Sequence, residues 1–506
     1  MAQTALIGFM GAGKTTAART LGETAVDVDE VIEARRGRRV QDIFAQEGEA
    51  VFREVEEQVT LELLADPAVD VVALGGGAVG SAKVRDALKN HRVIWLETVW
   101  EEAWQRVARN DGIRPLAQDP RRFNELHVER QPVYESLADV IVPATHSKQI
   151  GAVVDALSGL PHPGPKMLWA TSASSDYPVY IGSGLVTAKR FWPATVPGRK
   201  LLVTDYNAGR HYGERFEPLL GDVRIMPGEQ SKTIAHAEIV WTEMVRHGAT
   251  RADVMVALGG GVVGDLAGFC AATYQRGMRV VQVPTTLVAQ VDSSIGGKTG
   301  VDLPEAKNYV GAFHQPSAVI ADPATLETLP AQELAAGYAE VVKTGLIAGG
   351  ALWDRIAAGA SAADPDVIAA CAHVKVRIVS QDERDTGLRQ ILNLGHTVAH
   401  AIETATGYAR YRHGEAVGLG LLAELRLSDA DELRAQVKDM LRAAGLPTHL
   451  EGTDVDAVIY ATGRDKKRTA AGPVPFVLCG TPGRATAGQT VEPADLRSAV
   501  QELIAQ

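Results

Sequence analysis

The run Gly8-Phe-Met-Gly-Ala-Gly-Lys-Thr15 constrains this chain more than any other segment. It follows a short apolar stretch, Ala5–Phe9, and opens an amphipathic one, so a glycine-rich loop joins a strand to a helix. A strand followed by a crossing helix belongs in a parallel sheet, because parallel neighbours need a crossover between them. The loop's backbone N–H groups can wrap a β-phosphate, Lys14 can reach the β- and γ-phosphates, and Thr15 can ligate Mg²⁺. Gly11, Ala12, Gly13, Lys14, Thr15 and Thr16 are the candidate ATP contacts.

Strand and helix patterns alternate through residues 1–157. Strands are expected at Ala5–Gly8, Val69–Leu74, Arg92–Leu96 and Asp139–Val142, and a helix at Phe52–Leu64. Residues 158–166 then hold three prolines and two glycines between Ser158 and Pro165, which suits a linker. Alternation restarts from residue 167, with strands expected at Leu201–Thr204, Val254–Leu258, Val280–Val283 and Ala318–Ala321. From about Pro330 the pattern turns helical, with little strand signal before Phe476–Leu478. The expected fold class is α/β: a P-loop domain with a parallel sheet at 1–157, a Rossmann-like α/β domain at 167–329, and a mainly α-helical domain at 330–506. Ala73–Ala78 and Ala257–Val262 share a Leu-Gly-Gly-Gly core too short to be a repeat. Each reads as a strand-end turn where a ligand approaches backbone.

Charge narrows the partners. The chain carries 51 Lys+Arg against 62 Asp+Glu, a net charge of −11 over 506 residues. Up to residue 165 the balance is 18 to 25, and beyond it 33 to 37, so both parts are acidic. That argues against nucleic acid and anionic membrane as partners, and anionic small molecules must be held by locally placed bases. No apolar run has the length of a membrane helix, and no basic, apolar and small-residue signal pattern stands at the start. Cys270, Cys371 and Cys479 are scattered, which fits a reducing cytoplasm.

Within the first part, Asp27 and Asp29 alternate at the end of a short extended segment, so both can point to the mouth of the loop. One can hold Mg²⁺ through water and the other accept a hydroxyl proton; ordinary turn or N-cap service is the other reading. Arg53, Arg114 and Arg130 are forks suited to carboxylate or phosphate. Together with Val26-Asp-Val-Asp29, Phe52-Arg53 before Glu56, Gly75-Gly-Gly77, Arg114-Pro-Leu116, and Arg130 before Pro132 and Tyr134, the loop resembles shikimate kinase across residues 1–157. The resemblance implies that Asp29, Arg53, Gly75, Gly76, Gly77 and Arg130 hold shikimate and that Asp29 is the base on its 3-hydroxyl. It also implies that Thr15 and Asp27 serve Mg²⁺, and that Arg114 belongs to a lid over ATP.

In the second part the chemical signal is Asn393-Leu-Gly-His396, with His400 four residues on and His413-Gly-Glu415 beyond. Helical spacing puts His396 and His400 on one face, a chelating pair or two structural histidines. The surrounding motifs are Pro227-Gly-Glu-Gln-Ser-Lys232, Gly259-Gly-Gly-Val-Val-Gly-Asp265, Pro284-Thr-Thr286, Gln290–Gly300, Ala339-Glu340 with Lys343, and Asn393–Thr397. They resemble 3-dehydroquinate synthase from about residue 168 to 506. By that resemblance the metal, zinc or cobalt, is held by Glu340, His396 and His413, and His400 becomes a catalytic proton relay. NAD is implied at Asp205, Glu229, Lys232, Gly260, Gly261, Asp265, Thr285, Thr286, Lys298, Lys307, Thr325 and Thr328. The substrate is implied at Asp292, Lys298, Lys307, Asn308, Lys343, Lys375, Arg389, Asn393, His400 and Lys466, with Lys298 catalytic. Asp302, Ala306 and Leu394 depart from the family's usual Asn, Gly and Phe.

These readings together imply a bifunctional enzyme using ATP with Mg²⁺ in one part and NAD with a divalent metal in the other, as a homodimer through the synthase part. A cyclase of other sugar phosphates, or a metal-dependent alcohol dehydrogenase, shares the second architecture. A P-loop module that only senses nucleotide is the non-enzymatic alternative for the first.

Overall fold

The computed structural model describes residues 3–22, 24–109, 119–304, 306–463 and 474–504. The chain divides into two compact units: Met1–Ala170 with Pro178–Tyr180 and Phe191–Val196, and the remainder to Gln506.

In the first unit the parallel strands run in the order Ala25–Asp27, Val71–Ala73, Thr4–Ile7, Arg92–Glu97, Val140–Pro143, Lys166–Ala170. Thr4–Ile7 is central, with the next strands in sequence laid to one side and the later ones to the other. The crevice at such a reversal, beyond the strand's carboxyl end, is where α/β sheets bind ligands. The glycine-rich loop stands there, and the helix Lys14–Leu21 starts from it, capped by Gly13 in a left-handed conformation (φ 87°). Lys166–Ala170, expected as the linker's end and the start of the second part, instead adds a strand beside Val140–Pro143. Its burial explains this, since Met167–Ala170 are all buried apolar residues, whereas the Pro-Gly run just before them cannot pair.

In the second unit a parallel sheet runs Ala318–Ala321, Arg279–Pro284, Val254–Gly259, Lys200–Asp205, Leu219–Ile225. Val254–Gly259 is buried along its whole length, as expected for a strand covered on both faces. Leu201, Val203, Met255 and Ala257 pack against Val263, Leu266 and Phe269 of the helix Gly261–Thr273. In-register pairing of Gly259 with Pro284 and of Asp205 with Ile225 lines these strand ends along one edge. A hairpin, Lys298–Leu303 with Ala306–Phe313, follows, and then the helices begin at Ala331. Three of them matter below: Ala331–Ala348, His396–Ala405 and His413–Leu427. Among the described residues no helix is long and apolar enough to cross a membrane.

One buried acid secures the base of this sheet. Asp253 accepts from Arg199 Nε and Nη2 at 2.8 and 2.9 Å and from Thr250 N at 2.8 Å. The Arg199 fork is the chief reason its carboxyl falls from 3.8 to about 2; burial opposes this and the Thr250 bonds assist. A carboxyl depressed on folding contributes stability above its unfolded pKa and loses it as pH falls through the folded one. Arg199 is largely exposed, which screens the pair. Asp253→Asn should therefore cost about 1–2 kcal/mol at pH 7 by chemical denaturation, a gap that closes as pH falls from about 4 to about 2. A gap unchanged at pH 2.5 would contradict this account.

Candidate active sites

Around the glycine-rich loop, Lys14 Nζ donates to Gly8 O and Phe9 O at 2.8 and 3.1 Å, which arches its ammonium over the loop. Thr15 Oγ1 donates to Asp27 Oδ2 at 2.6 Å, so the hydroxyl and carboxylate proposed for Mg²⁺ are already neighbours. Asp27 ends its strand and caps the next helix, accepting from Asp29 N at 2.9 Å. Asp29 is thus in a first helical turn, and the expected strand alternation of the two acids does not occur. The helix turn still brings Asp29 against Gly75, where a Cβ would lie 3.2 Å from Asp29 Oδ1. A side chain at Gly75 would collide with Glu56, and one at Gly77 with Arg53. Arg53 Nη1 donates to the buried Glu56 at 2.5 Å. Arg130 Nη1 and Tyr134 OH both donate to Gly76 O, at 2.8 and 2.6 Å. Burial pushes Tyr134 up to about 12, so it remains a donor. Asp29, Arg53, Arg130 and the Gly75–Gly77 turn therefore surround one spot beside the loop. Arg114 lies outside the described residues.

In the second unit a cavity of about 1410 Å³ opens at the carboxyl edge of the sheet. One wall holds Asp205, Gly260, Gly261, Asp265, Thr285 and Thr286, with Glu229 and Lys232. Lys232 Nζ lies 2.7 Å from Asp265 Oδ2. The helix Gly261–Thr273 starts here, so its unpaired N–H groups face a region suited to a pyrophosphate. Lys307, Asn308 and Asp292 line the cavity too, with Glu340, His400, Glu403 and His413.

Glu340, His396 and His413 each offer a ligand atom within 4.8 Å of the others. They come from three helices, and two glycines let those helices touch. A Cβ on Gly414 would collide with Ala336 O, one turn before Glu340, and one on Gly420 with Gly395 O, next to His396. The fit to a divalent metal is good in chemistry as well. His396 Nδ1 donates to Leu394 O at 3.1 Å, which leaves Nε2 as the ligand atom, 3.6 Å from Glu340 Oε1. Burial, then Lys343, holds His396 well below its usual pKa, as a neutral ligand must be. His413 moves the other way, up to about 10; burial opposes the rise, and Glu340 and Glu403 hold its proton where a cation would replace it. His400 lines the cavity outside this group, its ring 5.7 Å from that of His396. The i,i+4 spacing marked a shared helix face, but the converging set spans three helices.

The expected bases divide. Lys343 Nζ lies 2.5 Å from Glu340 Oε2 and 3.5 Å from Asp292 Oδ2. Lys375 pairs with the Asp292 carboxylate and donates to Asp292 O at 2.6 Å. Burial alone would raise Asp292, yet the two ammonium groups hold it well below the usual range. Burial brings Lys375 down to about 8 against the pull of Asp292. These two lysines back the wall without lining it. Lys307 lines it, its ammonium 4.4 Å from the Tyr408 ring centre. Four further expected cofactor or substrate residues do not line it either. Arg389 is buried and donates to the backbone carbonyls of Glu383 and Gly296 at 2.6 and 3.0 Å. Lys298 pairs with Asp385, and Asn393 donates to Gln390 O at 3.1 Å. Thr325 is buried, donating to Asp322 O at 2.7 Å, while Thr328 does line the cavity. Lys466 lies outside the described residues. Glu403 was missed from sequence; its place three residues after His400, on the same helix face, was the available signal.

Comparison with known proteins agrees with this division. Residues 10–158 match the shikimate kinase family model. Residues 222–336 and 337–468 match the N- and C-terminal models of 3-dehydroquinate synthase. A 3-dehydroquinate synthase of Symbiobacterium thermophilum is 43% identical over 353 residues, 65% of this chain and 98% of that protein. One from Caulobacter vibrioides is 42% identical over 64% of this chain and 95% of its own length. Among solved structures, a 2-epi-5-epi-valiolone synthase from Streptomyces hygroscopicus subsp. jinggangensis, with NAD⁺ and Zn²⁺ bound, is 27% identical with a TM-score of 0.59. It covers 66% of this chain and 99% of that one. A 2-deoxy-scyllo-inosose synthase, 24% identical with a TM-score of 0.60 over 67% of this chain and 100% of its own, shares the fold. The chain therefore belongs to the 3-dehydroquinate synthase family, and carries ahead of that region a segment of the shikimate kinase family.

Proposed function

We propose that the chain is a bifunctional enzyme of aromatic amino-acid (chorismate) biosynthesis. Its first unit phosphorylates shikimate with ATP and Mg²⁺. Its second converts 3-deoxy-D-arabino-heptulosonate 7-phosphate to 3-dehydroquinate and phosphate, using NAD and zinc or cobalt. The observation that carries the second activity is the convergence of Glu340, His396 and His413, of which Glu340 and His413 line the same cavity as the strand edge beside Gly260 and Gly261.

In the first unit Asp29 takes the proton of the attacking hydroxyl, Arg53 and Arg130 orient the substrate carboxylate, and Lys14 neutralises charge on the transferred phosphoryl group. In the second, bound NAD⁺ and the metal ion supply transient oxidation of a substrate hydroxyl and polarisation of its oxygen. Lys307 and Asn308 hold the anionic substrate on the cavity wall. His400 moves a proton there. Lys343 and Lys375 keep Asp292 ionised, so it can only accept hydrogen bonds from the substrate. We place the enzyme in the cytoplasm, where three free buried cysteines are at home, and expect a dimer through the synthase unit.

Assay of both reactions on the purified chain tests this. Heptulosonate phosphate with NAD⁺ and zinc should release phosphate and dehydroquinate with no accumulation of free NADH. NADH rising in step with substrate use would favour a dehydrogenase. ATP and shikimate should give shikimate 3-phosphate; ATP binding without transfer would leave the first unit a sensor.

A further inference from the structure

Glu403 stands seven residues after His396, two helical turns on, and its carboxylate is 4% exposed at the cavity wall. Its Oε1 lies 3.5 Å from His413 Nδ1 and 3.5 Å from Lys307 Nζ. The other ring nitrogen of His413, Nε2, is 3.5 Å from Glu340 Oε1, inside the converging ligand group. The two nitrogens of His413 thus face different acids, one in the ligand group and one behind the ring.

We propose that Glu403 is the positioning residue of the metal site: it accepts the Nδ1–H of His413, turns Nε2 toward the metal, and tethers Lys307 beside it. A neutral imidazole has one N–H, and the partner of that N–H decides which nitrogen is left to coordinate. A carboxylate that only accepts settles the choice. His396 is held the same way, with Leu394 O as acceptor, so both imidazoles are clamped at Nδ1 and present Nε2. A buried carboxylate is costly without cationic neighbours, and Lys307 provides one. One side chain then links the metal ligand to a base on the substrate wall.

This rests on Glu340, His396 and His413 being the metal ligands, and the test separates the two claims. The full chain is stripped of metal and titrated with Co²⁺ alone, following the visible absorption of the bound ion, and then competed with Zn²⁺. Glu403→Met removes the acceptor at similar volume and should weaken binding tenfold to a hundredfold, with displaced cobalt bands and an unchanged far-UV circular dichroism spectrum. Should that variant not fold, Glu403→Gln carries the same measurement, with a weakening of about tenfold. Affinity within twofold of the parent, with unmoved bands, overturns the proposal. Glu340→Ala is the control: if it keeps cobalt at parental affinity, the ligand assignment itself fails, whatever Glu403 does.

Discussion

His396→Ala should lower dehydroquinate formation by about a thousandfold or more while shikimate phosphorylation stays within twofold of the parent. The loss follows from the proposed ligand set, since three protein groups would hold the ion and no fourth joins that group among the described residues. A metal that polarises a reacting oxygen supplies several kcal/mol, and about 1.4 kcal/mol is a factor of ten in rate. Removing His396 also leaves Glu340 and Lys343 without a neutral neighbour in a buried site. Chelation should do the same in one step, provided excess Mg²⁺ is restored before the kinase assay. Parallel loss of kinase activity would refute independent sites, and a synthase that survives both treatments would refute the metal's role.

Lys14→Ala should produce the mirror image. Phosphoryl transfer should fall by about a thousandfold, in the range seen when one charge-stabilising donor is removed. Dehydroquinate synthesis should not change, because every residue lining the second cavity lies in the second unit. Lys14→Arg should rescue poorly. The ammonium donates to Gly8 O and Phe9 O as a compact point charge, and a planar guanidinium is wider. The check is steady-state kinetics of both reactions on one preparation. Kinase activity of Lys14→Ala within tenfold of the parent would remove the loop from the chemistry.

Local features were the legible ones. Strand, glycine turn, lysine and helix follow one another in sequence, so Gly8–Thr15 could be read without tertiary information. The same holds for Val254–Gly259, whose continuous apolar run means burial on both faces. Asp29 was read with the wrong local geometry, because nothing in Val26–Asp29 announces that Asp27 ends the strand by capping a helix. The metal set was out of reach of spacing, since its members meet through helix contacts 56 or more residues apart in the case of Glu340. Only the resemblance to a family named it. Arg389 is a different case. A motif context suggested a substrate contact, but its guanidinium satisfies two backbone carbonyls in the interior. Glu403 escaped because an acid on a helix ordinarily faces water, and burial is a property of the assembled helices.

The contacts at Gly414 and Gly420 set a limit on how this enzyme can be hardened against heat. Replacing helix glycines with alanine is a standard route to stability, worth up to about 1 kcal/mol each through chain stiffness. Here the added methyl groups would enter the carbonyls of Ala336 and Gly395 and push the three ligand-bearing helices apart. The spacing of these helices is held by main chain against main chain, so no rotamer change can absorb the displacement. A thermostable version would have to be sought elsewhere on the molecule, leaving these two positions bare.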